Sequence, residues 1–113
     1  MIKLANGFIP ALASESVSDL YTPIYTATKD TEINFMQFVN EHTAAIVLNV
    51  YIEYNSTQRI RIIPINYSLA TSVKIAITDT YFLTEFDRIV CTASVADKVS
   101  YVINGTETEA EAV

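Results

Sequence analysis

Residues 43–54 read TAAIVLNVYIEY, and this stretch decides the fold class. Its apolar residues occupy every second position: Ile46, Leu48, Val50 and Ile52. The positions between them become more polar toward Glu53. Because successive side chains of a strand point to opposite faces, a period of two over this length predicts a long, half-buried β-strand.

A second apolar strand follows directly. Residues 55–57 (NST) supply turn chemistry, and residues 58–65 (QRIRIIPI) then begin with arginine and isoleucine in alternation. The two segments predict a β-hairpin with a short loop. Pro64 has no backbone N–H to donate, so we expect it at an edge position, a bulge or the strand's end. Residues 66–68 are the expected loop after it.

Strand-like segments cover the remaining chain, at residues 19–22, 31–39, 72–78, 81–83, 88–94 and 99–106. β-Branched and aromatic residues dominate them, whereas the longest stretch of helix formers, residues 40–45, is too short for a helix. Seven or eight short strands at this spacing predict an all-β fold. We expect an antiparallel β-sandwich, jelly-roll or immunoglobulin-like, or a compact barrel. No repeat or linker divides the chain, so residues 1–113 should form a single domain.

The same alternation predicts which residues face the core. We expect two sheets to enclose Ile33, Phe35, Ile46, Leu48, Val50, Ile52, Ile75, Ile77, Ile89, Cys91, Val99, Tyr101 and Ile103. Cys91 is the only cysteine and cannot form an internal disulfide. It is interpreted as a small buried hydrophobe rather than a reactive thiol.

The charge of the chain restricts its partners. With 13 acidic residues against 7 lysines and arginines, its formal net charge is −6. Such a chain repels phosphate backbones, so we expect no nucleic-acid binding. No apolar run approaches the ~18 residues of a membrane helix, and we expect no membrane insertion and no signal peptide. Arg59 and Arg61 share one strand face, which is either solvated or suited to a partner's carboxylate.

Residues for catalysis or metal binding are not grouped in the sequence. His42 is the only histidine, which excludes a histidine-cluster metal site and a two-histidine relay. There is no G-x-S-x-G, no phosphate-binding glycine loop and no C-x-x-C. We therefore expect no enzyme activity, no cofactor and no metal. A hydrolase would need a converging pair of acids or a contact between Cys91 and His42.

Two-sided apolar strands predict oligomerisation. Met36 and Phe38 are expected on the face opposite Ile33 and Phe35, and exposing them would create an apolar patch that invites association. The predicted interface residues are Ile2, Leu4, Phe8, Ile9, Met36, Phe38, Tyr51, Arg59 and Arg61.

The first ten residues have no evident strand partner in their own domain. We expect them to form an arm that lies on a neighbouring subunit or on a particle surface. The alternative is that they fold back and close their own sheet. A closed homo-oligomeric ring, most simply a trimer, would bury the apolar groups and leave the acidic tail, residues 107–113, outside.

Four short motifs follow one another along the chain. They are A-x-A-S-x-S-V-S-D-L-Y-T-P at residues 11–23, N-Y-S-L-A at 66–70, F-D-R-I-V-C-T-A-S at 86–94 and V-S-Y-V-I-N-G-T-E at 99–107. In this order, with the long apolar strand pair among them, they resemble small β-sandwich virion proteins of tailed bacteriophages. Two positions depart from that pattern. Phe86 stands where a turn glycine is expected before Asp87, and Ile24-Tyr25 replaces a Pro-Ala-Gly turn.

The resemblance implies a non-enzymatic structural protein of the phage particle, made in the host cytoplasm and located at the virion surface. A capsid-associated decoration or minor head protein is the first expectation, and a neck, tail or baseplate protein is the alternative. Such proteins assemble with themselves and with other virion proteins, such as the major capsid protein, and use no cofactor. A sugar- or receptor-binding β-module is a further alternative, although the chain has no tryptophan for a dedicated carbohydrate platform.

Overall fold

The computed structural model of the protein describes residues 2–9, 23–54 and 58–108, which form ten β-strands. The strands are β1 (Ile2–Phe8), β2 (Tyr25–Thr26), β3 (Thr31–Asn40), β4 (Ile46–Tyr54), β5 (Gln58–Arg61), β6 (Tyr67–Leu69), β7 (Lys74–Ile77), β8 (Tyr81–Leu83), β9 (Arg88–Ala93) and β10 (Val99–Glu107). Over these described residues, no helix occurs that is long and apolar enough to cross a membrane. The predicted all-β fold is confirmed. The strand expected at residues 19–22 lies outside the described residues.

The strands form two antiparallel sheets that pack together. In sheet I the order is β1-β10-β3, and both β7 and β8 pair with the other edge of β3. In sheet II the order is β2-β9-β4, and both β5 and β6 pair with the other edge of β4. If β5 with β6 and β7 with β8 each count as one interrupted strand, this is the order of an eight-stranded jelly roll. Of the two sandwich types expected, the strand order therefore matches the jelly roll.

The core lies between the two sheets and contains most of the predicted residues. Those confirmed as buried are Ile33, Ile46, Leu48, Val50, Ile52, Ile77, Ile89, Cys91, Val99 and Ile103. Ile75 and Tyr101 are partly buried against them. Phe35 is not among the buried residues, and the reason lies in the geometry of its strand.

A β-bulge interrupts β3. Along the pairing with β10, Ile33 lies opposite Gly105 and Phe35 lies opposite Asn104. Asn34, between them, has no opposite residue and is the extra residue of the bulge. Since an extra residue shifts the alternation by one position, every side chain after Asn34 changes face.

The bulge reverses the predicted faces of the second half of β3. Met36 and Phe38 are fully buried in the core, whereas Phe35 is only half-buried and points outward. The expectation that Met36 and Phe38 lie on the outer face, available to a partner, is therefore wrong. Both halves of the strand still contribute alternate residues to the core, with Thr31 and Ile33 before the bulge.

The first residues form an edge strand rather than an arm. β1 pairs antiparallel with β10, and beyond it the Ile9 amide donates to the Val99 carbonyl at 2.9 Å. Ile9 is fully buried and Leu4 packs against the core, while Ile2 and Phe8 remain 56% and 50% exposed. The expectation of an arm on a neighbouring subunit is wrong for residues 2–9, because their backbone groups already pair within their own sheet.

The central hairpin is confirmed. β4 and β5 pair from Tyr51 opposite Arg61 to Tyr54 opposite Gln58, and Pro64 lies beyond the end of β5. Residues 67–69, expected to be mainly loop, form β6 instead. They do so because β4 extends past β5 and leaves an edge, Ile46–Leu48, with which β6 pairs.

The accessibility of Cys91 to a thiol reagent shows which face of β9 points inward. Its side chain is 1% exposed, and burial raises the pKa of the thiol well above its usual value. We expect no reaction with a thiol reagent in the native protein, against rapid labelling of the exposed control Ser94→Cys. Cys91→Ser should lower the free energy of unfolding by about 1–3 kcal/mol, because its hydroxyl would be buried without an arranged partner. Fast labelling of the native wild type would mean that the faces are reversed.

Candidate interaction surfaces

The inner faces of both sheets are used by the core, so the outer faces are the surfaces for partners. In sheet I, pairing places Phe8, Ser100 and Val39 in one row, and Asn6, Val102, Gln37 and Ala76 in the next. Phe35 and Asn104 follow in the third row. We call these nine residues the uncharged face. The same side of the sheet also carries charged residues around this face. Lys3 and Lys74 lie on the edge strands β1 and β7, and Glu32 lies near the start of β3.

The uncharged face has a continuous apolar centre. Val102 on the central strand β10 lies diagonally from Val39 and Phe35 on β3 and from Phe8 on β1. Diagonal neighbours in a sheet are about 7–8 Å apart, within reach of aromatic side chains. A centre depleted in charge and enriched in aromatic residues, with charges around it, is the composition of a protein–protein interface.

The outer face of sheet II has the opposite character. Glu53 on β4 lies directly between Arg59 on β5 and Arg88 on β9 in one row of the sheet. Arg59 Nε donates to Glu53 Oε2 at 2.8 Å, and an Arg88 Nη donates to Glu53 Oε1. Burial alone would raise the pKa of Glu53. The hydrogen bonds and positive charges of Arg88 and Arg59 together outweigh that effect, and the pKa of Glu53 lies below its ordinary value. Glu53 is therefore a buried carboxylate that stays ionised.

The next row adds an aromatic ring and a third arginine. We call Glu53, Arg59, Arg61, Arg88 and Tyr51 the arginine cluster. Tyr51 is buried beneath the guanidinium groups of Arg59 and Arg61, which lie 5.5 and 4.7 Å from its ring centroid. Such distances allow a cation–π attraction. Arg61 Nη1 also donates to Asn49 Oδ1 at 2.7 Å, and Asn49 exchanges hydrogen bonds with Asn66 in the connection to β6. All three arginines of the chain thus lie on one face.

The predicted interface residues separate into three groups. Ile9, Met36 and Phe38 lie in the core, and Leu4 packs against it. Tyr51 and Arg59 are buried in the arginine cluster. Only Ile2, Phe8 and Arg61 are exposed.

The sequence predicts that Arg59 and Arg61 share one strand face, but it does not predict Glu53, around which the cluster forms. The signal was present, because a hairpin with residues 55–57 as its loop places Glu53 opposite Arg59. Arg88 comes from a strand distant in sequence, and no local pattern indicates its position.

The possible catalytic residues lie in different parts of the fold. His42 lies in the connection between β3 and β4, and Cys91 lies in the middle of β9. Buried Asn40 holds that connection by donating to the carbonyls of Ala44 and Leu69 at 2.9 and 2.8 Å. In the part of the chain that the structure describes, no three His, Cys, Asp or Glu side chains are arranged to hold a metal ion.

No known protein family matches the sequence, and no match was found among curated proteins or solved structures. The jelly-roll assignment therefore rests on the strand order alone. Since one fold supports many functions, the function has to be argued from the two outer faces.

Proposed function

We propose that the protein is a non-enzymatic structural component of a bacteriophage particle that works by assembling with copies of itself. The observation that carries the proposal is the uncharged face of sheet I. A decoration or minor head protein at the virion surface, in contact with the major capsid protein, is the form that we propose first. A neck, tail or baseplate protein is the alternative.

The occupant that we propose for the uncharged face is a second copy of the chain. Phe8 is half-exposed, and Val39, Val102 and Phe35 are only partly covered in the single chain. Covering these side chains removes apolar area from water at about 25 cal/mol per Å². The acidic net charge of −6 disfavours a phosphate backbone as the occupant. A closed ring, most simply a trimer, would cover this face in every copy.

The proposal that the particle is a bacteriophage is supported by observations other than the uncharged face. The four sequence motifs resemble those of small β-sandwich virion proteins, and the jelly-roll order is an architecture that viral capsid domains use. Phe86 has a φ of +77°, a conformation in which glycine is favoured. The turn at this position therefore has the backbone geometry expected for the glycine of the motif.

Val102→Lys should abolish self-association, because it places a charge at the centre of the uncharged face. Sedimentation equilibrium should show an oligomer for the wild type and a monomer for the variant, with unchanged circular dichroism. Ile65→Lys is the matched control, since Ile65 is exposed in the connection between β5 and β6 of the other sheet, and it should remain oligomeric. A wild type that is monomeric at high micromolar concentration and binds no other particle component would end the assembly proposal.

The place of the protein in the particle needs a separate measurement. Mass spectrometry of purified particles, together with the genes that flank this reading frame, should identify the chain as a virion component and give its copy number relative to the capsid protein. Absence of the chain from purified particles would overturn the phage part of the proposal and leave the self-assembly part to the sedimentation experiment.

A further inference from the structure

A groove opens at one end of the sandwich, and none of its wall residues belongs to the uncharged face or to the arginine cluster. Its walls are residues 30–32 at the start of β3, residues 82–84 at the end of β8, and Thr108 after β10. Thr31 pairs with Leu83 across the floor, and the Thr108 amide donates to the Asp30 carbonyl at 2.8 Å. The volume is about 260 Å³, below the ~300–1,000 Å³ of pockets for drug-sized ligands. It suits a single side chain.

One wall of the groove is an uncovered aromatic ring. Phe82 is 69% exposed, the highest value among the large apolar residues that the structure describes. It lies directly opposite Glu32 in the pairing of β3 with β8. An exposed ring beside a carboxylate offers a π-face and a negative charge to the same ligand.

The polar groups of the groove carry one sign of charge. Asp30 and Glu32 supply two carboxylates, and the remaining polar walls are the threonines at 31, 84 and 108. Asn34 Nδ2 donates to Glu32 Oε1 at 2.7 Å and so orients that carboxylate. The groove therefore has hydrogen-bond acceptors and a ring, but no basic side chain in its walls.

We propose that this groove binds an arginine side chain of a partner protein, with the guanidinium stacked on Phe82 and hydrogen-bonded to Glu32 and Asp30. A planar guanidinium matches both features, since it stacks on aromatic faces and pairs with carboxylates through two parallel N–H groups. The charge of the groove and the net charge of −6 both favour a cationic occupant over a neutral sugar. The proposal does not depend on the assembly proposed above, because the groove lies outside the uncharged face.

The test is a titration of the full chain, followed by NMR, with the peptide acetyl-Gly-Arg-Gly-amide. We expect saturable shifts at the backbone amides of Glu32, Phe82 and Thr84 that weaken as salt is raised. The glutamine analogue of the peptide should give no saturable shift, and the lysine analogue a weaker one. Equal binding of the glutamine peptide, binding of methyl glucoside in its place, or no saturation by the arginine peptide would each overturn the proposal.

Variants locate the binding to the groove. Phe82→Leu should weaken the arginine peptide about two- to fivefold, and Glu32→Gln by a similar factor. Phe86→Leu is the matched control, because Phe86 is exposed to a similar degree but is not part of the groove walls. It should leave the affinity unchanged. An effect of Phe86→Leu equal to that of Phe82→Leu would place the binding elsewhere.

Discussion

Phe38→Ala should lower the free energy of unfolding by about 3–5 kcal/mol, whereas Phe35→Ala should lower it by less than about 1 kcal/mol. The two residues lie on the same strand and have the same side chain. Phe38 is fully buried after the bulge at Asn34, so its truncation leaves a cavity in the core. Phe35 is half-buried on the outer face and leaves none.

Denaturant unfolding, followed by circular dichroism, measures both changes. It should be repeated over a range of protein concentrations, so that any contribution of Phe35 to self-association is separated from its contribution to folding. A larger loss for Phe35→Ala than for Phe38→Ala, independent of concentration, would mean that side chains alternate through Asn34 without a bulge.

Glu53→Ala should lower the free energy of unfolding by about 3–5 kcal/mol, although it removes a single side chain. Glu53 is 1% exposed, and its carboxylate is shared by Arg59 and Arg88. Its loss removes the buried carboxylate that both guanidinium groups contact, and breaking this charge pairing is the main cost. Equilibrium unfolding at neutral pH measures it, and a loss below about 1 kcal/mol would mean that the cluster is solvated.

The same carboxylate makes stability depend on pH. Because the pKa of Glu53 is lower in the folded chain than its ordinary value, its stabilising contribution is fully present above the ordinary carboxyl pKa. That contribution is lost as the pH falls through the folded pKa. Glu53→Gln keeps the shape and cannot titrate, so the stability difference between wild type and variant should shrink as the solution is acidified. A constant difference would mean that Glu53 does not titrate differently on folding.

Local patterns in the sequence predict the parts of the fold that depend on neighbouring residues. The hairpin of β4 and β5 follows from period two and a short polar loop, and period two also places Ile89 and Cys91 on one face of their strand. These elements need no information from elsewhere in the chain.

The elements that local patterns do not predict depend on partners that are distant in sequence. β2 and β6 contain two and three residues and exist because β9 and β4 offer them edges. The bulge at Asn34 is defined only by its register with Asn104 and Gly105 of β10, which are distant in sequence. An alternating pattern predicts two faces but not the position at which they exchange, so it predicts the wrong face for Met36 and Phe38.

The arginine cluster shows the same limit. Glu53 and Arg59 are close in sequence and their pairing follows from the hairpin, whereas Arg88 reaches them only through the sandwich topology. The sequence also does not predict the groove at Phe82, because its walls come from three segments that are distant in sequence.

The bulge brings two positions that are distant in sequence, Glu32 and Gly105, into close backbone contact. A Cβ at position 105 would overlap the Glu32 carbonyl oxygen, which is why the residue beside the bulge is glycine. Without Asn34 the strand would read TEIFMQFVN, which keeps Met36 and Phe38 on the inner face by simple alternation. A residue larger than glycine at position 105 would therefore require the backbone at Glu32 to move, so substitutions at these two distant positions are coupled.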